Sequence, residues 1–124
     1  MRRGHRLEQK INKLLKYLDS IGVHGHKNNP ERLQCGTYIK GEPFDYEIIY
    51  KNKIIVFDAK ECKTKKWKPQ KKDIKQANNM IKCKNHGANA FFLVYFYNDN
   101  KLKKIDPKTF KEKELKNIME VLDD

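Results

Sequence analysis

Two acidic residues and a lysine lie at a spacing that suits hydrolysis of a phosphodiester. Asp45 opens an apolar run, and Asp58 ends a second one, with Lys60 two positions later. Residues two apart on a strand point to the same side of a sheet, so Asp58 and Lys60 are predicted to share a site. A buried strand seldom carries unpaired charges for packing alone, because such charges are costly. The stretch 44–60 is therefore predicted to be functional.

Phosphodiester hydrolysis needs a divalent cation that polarises the phosphate and generates hydroxide. Mg²⁺ prefers oxygen ligands and keeps several of its waters. The carboxylates of Asp45 and Asp58 and the main-chain carbonyl of Ala59 are the predicted ligands, and Lys60 is the predicted catalytic cation. The expected cofactor is Mg²⁺, with Mn²⁺ as the alternative.

The two apolar runs predict an antiparallel hairpin, because they are rich in β-branched and aromatic residues and flank the polar turn 51–53. Asp45 then reaches Asp58 if the strands pair in register. Periodicity and turn residues predict helices over 5–20, 72–86 and 108–122, a buried strand over 89–97, an edge strand over 101–105, and short strands at Val23 and at 37–39. This order predicts an α/β fold with a central mixed sheet.

The apolar faces of the last two predicted helices are read from their spacing. The second helix is expected to bury Ile74, Ala77, Met80 and Ile81, and the last to bury Phe110, Leu115, Ile118, Met119 and Leu122.

The charge predicts a polyanionic partner. The 124 residues carry 28 Lys and Arg against 16 Asp and Glu, a formal charge of +12. Nucleic acid is the first expectation and an anionic membrane the second, although an AT-rich genome also explains many lysines. The basic loop 63–72 is expected to contact DNA, with Trp67 at a base or sugar or else folded back on the core. The predicted DNA contacts are Lys27, Arg32, Lys63, Lys65, Lys66, Trp67 and Lys68.

Length and cysteine usage predict one domain spanning 1–124 in a reducing cytoplasm. The three cysteines form no CxxC pair, and a zinc site at His24, His26 and Cys35 lacks a fourth ligand. No run has the roughly 18 apolar residues of a membrane span, so we expect no spanning segment. Of the two polyanions that the charge suits, DNA and not a membrane is the expected partner.

The spacing Asp45-x12-Asp58-x-Lys60 resembles the PD-(D/E)xK nuclease signature, with Pro43-Phe44-Asp45 as a loosened "PD". A closer resemblance is to the RecU-type Holliday junction resolvases of Gram-positive bacteria and their phages. The segments that carry this likeness are Arg3-Gly4 with Leu7-Glu8 and Ile11-Asn12, the hairpin from Phe44 to Glu61, Trp67-Lys68-Pro69-Gln70, Asp73-Ile74-Lys75-Gln76, and Phe91-Phe92-Leu93-Val94.

The resemblance implies a restriction-endonuclease-like core and a cytoplasmic homodimer, of a bacterial cell or a phage-infected host, that cuts four-way DNA junctions in two strands. It implies that Asp45 and Asp58 bind the metal and that Lys60 is catalytic. It makes Glu8 a metal or water ligand, Gln76 a positioning residue and Arg3 a phosphate contact. The chain departs from the family in its short region 24–43, and Asp58 replaces the more usual Glu.

The sequence therefore predicts a metal-dependent endonuclease that resolves four-way DNA junctions in recombination or replication. Three alternatives stay open: a nuclease of this fold acting on other DNA, a non-catalytic DNA-binding module, and a basic RNA-binding protein. The charge permits the last, but the carboxylates do not explain it.

Overall fold

Six strands form one mixed sheet within residues 5–27 and 44–123, the part of the chain that the computed structural model describes. The elements in chain order are α1 (His5–Ser20), β1 (His24–Lys27), β2 (Tyr46–Tyr50), β3 (Lys53–Cys62), α2 (Lys71–Asn85), β4 (Asn89–Phe96), β5 (Lys101–Ile105), β6 (Glu112–Leu115) and a short 3₁₀ helix (Ile118–Leu122). The strands lie side by side in chain order, from β1 to β6. This confirms the α/β fold and its mixed sheet.

One parallel pair stands at the centre of the sheet. β3 and β4 run parallel and are joined by the crossover helix α2, whereas every other neighbouring pair is antiparallel. Parallel strands need such a crossover, because a tight turn cannot bring the chain back to the same end. The chain from β3 through α2 to β4 is therefore the unit around which the edge strands pair.

The hairpin of β2 and β3 forms as predicted. Its two-residue turn places Lys51 and Asn52 at φ of 48° and 64°. Two successive positive φ values are typical of a type I′ turn, whose twist matches that of paired strands. The turn sets a register in which Tyr46 lies opposite Phe57, and Ile48 opposite Ile55.

The helices cover opposite faces of the sheet. From α1, Leu7, Ile11, Leu14 and Leu18 pack on one face against residues such as Phe57 and Leu93. From α2, Ala77 and Met80 pack on the other face against residues such as Phe92 and Val94. Side chains alternate between the two faces along a strand. On β3, Asp58 and Lys60 therefore face α2, and Ala59 and Glu61 face α1.

The predicted edge strand over 101–105 is an interior strand, so this prediction was wrong. β5 pairs with β4 on one side and with β6 on the other. Its lysines are paired rather than free: Lys103 donates to Glu112 at 2.8 Å, and Lys101 lies 3.7 Å from Glu114. Glu112 and Glu114 of β6 thus pair diagonally with lysines of β5, and opposite charges across two strands stabilise their pairing.

The predicted helix over 108–122 was also wrong. The Asp106 carboxylate accepts hydrogen bonds from the N–H groups of Lys108 and Thr109, as a helix cap would, but the helix does not continue. Phe110 adopts a φ of 58°, and its ring packs against Trp67 and Phe92. Packing of this aromatic group outweighs the local signal for a helix.

Two side chains predicted to be buried are exposed instead. Ile74 of α2 is 44% exposed, and the buried position beside it is Asp73, so the predicted apolar face was wrong at this point. Met119 is exposed, against the prediction that it is buried. The predicted strand 37–39 lies outside the described residues. In the described part of the chain, the helices are too short or too polar to cross a membrane.

Candidate active site

Asp45 and Asp58 lie opposite each other at the start of β2. The Asp45 N–H donates to Asp58 Oδ1 at 2.9 Å, and the Ala59 N–H donates to Asp45 Oδ2 at 3.0 Å. Each carboxylate is thus held by backbone of the opposite strand. The hairpin register brings the two predicted metal ligands together, as the sequence predicts.

Burial and repulsion act on Asp58. Its side chain is largely buried, and burial raises its pKa to about 6, with the nearby Asp45 carboxylate adding to the rise. The hydrogen bond from Asp45 N–H, the Lys60 ammonium and a hydrogen bond from Gln76 oppose the rise without cancelling it. Two carboxylates in one partly dry site repel each other, and a bound cation relieves that repulsion.

Lys60 points towards the N-terminus of α2. Its Nζ lies 3.3 Å from Asp73 Oδ1. The other oxygen of Asp73 accepts a hydrogen bond from the Gln70 N–H at 2.8 Å. Asp73 therefore joins the first turn of α2 to the predicted catalytic lysine.

Gln76 reaches the site from the same face of α2. The side-chain amide of Gln76 interacts with Asp58 and lowers the pKa of that carboxyl. Its Oε1 accepts a hydrogen bond from Asn79 Nδ2 at 3.3 Å. Because a carboxylate only accepts, the Gln76 amide nitrogen must face Asp58, and Asn79 favours that orientation.

Glu8 lies on the other side of the site, in a cavity of about 220 Å³ that also contains Asp45, Tyr46 and Lys60. Glu8 Oε1 accepts a hydrogen bond from Lys27 Nζ at 3.1 Å. Burial, with the charges of Glu8 and Asp45, raises the pKa of Tyr46 to about 12. Tyr46 lines the cavity as well, a position that the sequence pattern does not predict.

Glu61 holds α1 against the site. Its side chain, only 2% exposed, lies 3.3 Å from Arg6 and accepts a hydrogen bond from the Leu7 N–H at 2.9 Å. Glu61 therefore binds the first turn of α1 at Leu7, the residue that precedes Glu8. The signal for it in the sequence is the alternation along β3, which places a charge on the α1 face where it needs a partner.

A second, basic cavity of about 470 Å³ shares Lys60 and Glu61 with the first. Lys63, Lys66 and Lys68 line it, and Lys65 is exposed on the same loop. Among the described residues, none of these four loop lysines has an ion-pair partner. The predicted DNA-contacting lysines of the loop thus border the carboxylate site.

Trp67 lies in this loop but packs on the core. Its ring centroid is 4.9 Å from that of Phe92 and 6.5 Å from that of Phe110. It is partly buried and also lines the basic cavity. The alternative of a tryptophan folded back on the core describes most of this side chain, and its contact with DNA stays a prediction.

Some of the remaining predicted site residues lie outside the part of the chain that the structure describes. Arg3, Arg32 and Cys35 lie outside the described residues. Within residues 5–27 and 44–123, His, Cys, Asp and Glu side chains form no group of three or more that could hold a metal. Asp45 and Asp58 thus form a pair of carboxylates without a third such side chain in the group among these residues, and Glu8 is engaged with Lys27.

Comparison with known proteins supplies the family. A search among curated proteins found no match. The model of the recombination protein U family, RecU, matches residues 2–120. This match confirms the resemblance in the sequence, and the mixed sheet between two helices is consistent with a restriction-endonuclease-like core. The chain belongs to the RecU family of recombination proteins.

Proposed function

We propose that the chain is a metal-dependent endonuclease that resolves four-way DNA junctions. The observation that carries this proposal is the pairing of Asp45 and Asp58 across the hairpin, with Lys60 beside them, in a member of the RecU family. A carboxylate pair beside Lys60, which lines the basic cavity, suits cutting of a phosphodiester better than binding alone, because repelling acids weaken contact with phosphate.

The donor set suits Mg²⁺, with Mn²⁺ as the alternative. Two carboxylates that leave open positions fit an ion that keeps waters and takes phosphate oxygens as further ligands. The raised pKa of Asp58 supports the same assignment, because a cation between the carboxylates removes the repulsion. Asp45 and Asp58, with the Ala59 carbonyl, would hold the ion. When bound, it polarises the phosphate and activates water.

The remaining residues orient this centre. Lys60 offers an ammonium to the attacking water or to the charge that develops on phosphorus. Gln76, whose side chain interacts with Asp58, would help to keep that carboxylate in place. Glu8 borders the same cavity as Asp45 and is proposed as a further metal or water ligand, which requires it to leave Lys27 when a cation enters.

The substrate is proposed to be duplex DNA that branches. Lys63, Lys65, Lys66 and Lys68, with Lys27 at the cavity, supply cations for phosphates on either side of the scissile bond. A four-way junction has two-fold symmetry and needs two cuts. A homodimer with one site per subunit matches that symmetry.

A cleavage assay tests this function. A synthetic four-way junction and a linear duplex of the same sequence are incubated with the protein in Mg²⁺ and in EDTA. We expect paired cuts in the junction with Mg²⁺ only, and Asp58→Asn should abolish them while junction binding remains. Equal cutting of both DNAs would exclude a resolvase, and activity of Asp58→Asn would exclude the proposed site.

A further inference from the structure

We propose that Asp73 is a positioning residue for Lys60. Asp73 stands at the third position of α2 on the face turned to the sheet, and its side chain is only 5% exposed. Lys60 lies on the α2 face of β3, 27% exposed, with its ammonium 3.3 Å from Asp73 Oδ1. The inference rests on the proposed function, in which Lys60 acts on the phosphate.

The two oxygens of Asp73 have separate partners, and this sets the direction of the contact. Oδ2 accepts the Gln70 N–H at 2.8 Å, so the helix start fixes the plane of the carboxylate. Oδ1 is left to face Lys60. A lysine has four rotatable bonds, so an ammonium without a fixed partner samples many positions. Asp73 therefore restricts the positions of the Lys60 ammonium, a group that lines both cavities.

An ion pair on the protein surface contributes little to stability, because water screens its charges. Here one partner is almost fully buried and the other is mostly covered, so the pair is protected from that screening. Placement of a catalytic group within a few tenths of an ångström matters strongly for rate. The expected effect of Asp73 is therefore on turnover rather than on DNA binding.

The chain contains a matched control in Asp106. Its Oδ2 accepts the N–H groups of Lys108 and Thr109, and its Oδ1 lies 3.4 Å from Lys84 Nζ. Like Asp73, it caps a turn and pairs with a lysine. Unlike Asp73, it borders neither of the two site cavities. Asp106→Asn removes the same charge from a similar arrangement.

The first measurement compares Asp73→Asn with Asp106→Asn in junction cleavage. Asparagine keeps an oxygen for the turn but loses the negative charge. We expect Asp73→Asn to lower kcat on the order of tenfold, with KM as in Asp106→Asn, and Asp106→Asn to keep the wild-type kcat. An unchanged kcat for Asp73→Asn, or an equal loss in both variants, would overturn the proposal. If Asp73→Asn does not fold, Asp73→Ser is measured instead.

The second measurement does not depend on cleavage. Lysines are acylated briefly in EDTA without DNA, and each site is quantified by peptide mass spectrometry. Asp73→Asn should raise labelling at Lys60 several-fold, and Asp106→Asn should leave labelling at Lys60 unchanged. Unchanged labelling at Lys60 in Asp73→Asn would refute the pairing. Wild-type protein that cuts no DNA would refute the proposed function and, with it, the effect of Asp73 on turnover. The labelling would still show whether Asp73 holds Lys60.

Discussion

Replacing Asp58 by asparagine should stabilise the metal-free protein at neutral pH. Burial and the Asp45 carboxylate raise the pKa of Asp58 from 3.8 to about 6. A group whose pKa is higher in the folded state stabilises the fold, and its whole contribution is present at pH values below its unfolded pKa. That contribution disappears as the pH rises through the folded pKa. At pH 7.5 the metal-free fold therefore carries an ionised Asp58 at a cost.

The size of this cost follows from the shift. Each pKa unit corresponds to about 1.4 kcal/mol, so a shift of roughly two units corresponds to up to about 3 kcal/mol in the free energy of unfolding. Asparagine removes the charge but keeps an oxygen that can accept the Asp45 N–H. In a domain of this size, the gain amounts to about 10 °C in melting temperature.

Urea unfolding in EDTA, followed by circular dichroism, measures the difference. Asp58→Asn should unfold at a higher urea concentration than wild type at pH 7.5, and most of the gap should be gone at pH 4. Asp99→Asn, which removes an exposed carboxylate from a turn, is the control for net charge and should show no such gap.

Mg²⁺ should close most of the gap in stability between wild type and Asp58→Asn. A ligand that binds only the folded state at 100 times its Kd adds about 2.7 kcal/mol, and the asparagine variant has lost one of the two carboxylates. The reasoning fails if wild type and Asp58→Asn unfold together at pH 7.5 in EDTA. It also fails if the gap is as large at pH 4, because ionisation cannot then be its cause.

Two further substitutions test the support of α1 and the basic loop. Glu61→Gln weakens the contacts with Arg6 and the Leu7 N–H and should lower the free energy of unfolding by about 1–3 kcal/mol in urea titration; no loss would show that Glu61 does not hold α1. Lys66→Gln should reduce the slope of log Kd for junction DNA against log salt concentration by about 1, whereas Lys16→Gln on α1 should leave it unchanged; equal slopes would remove Lys66 from the DNA interface.

The part of the site that the sequence predicts is the part that one hairpin determines. Asp45, Asp58 and Lys60 lie on neighbouring strands joined by a two-residue turn, so alternation and register suffice to bring them together. Gln76 was predicted from the family resemblance, and its contact with Asp58 depends on how α2 packs on the sheet.

The contacts that the sequence did not predict join distant elements. Glu61 meets the N-terminus of α1 across 54 positions of the chain, and Asp73 meets Lys60 only because α2 returns over β3. The same cause explains the missed strand β6: Phe110 leaves the helical path to pack on Phe92, an interaction that local periodicity does not contain. Local sequence patterns therefore predict the reactive residues of the site better than they predict the contacts that hold those residues in place.

The alternation along β3 explains why both helices are needed to support one site. Asp58 and Lys60 face α2, which contacts them through Gln76 and Asp73. Glu61 faces α1 and fixes the turn that carries Glu8. A short stretch of one strand thus places charges in both layers, where each needs a partner to offset its burial. Because these partners come from separate helices, loosening either layer should disturb the site before the sheet itself unfolds.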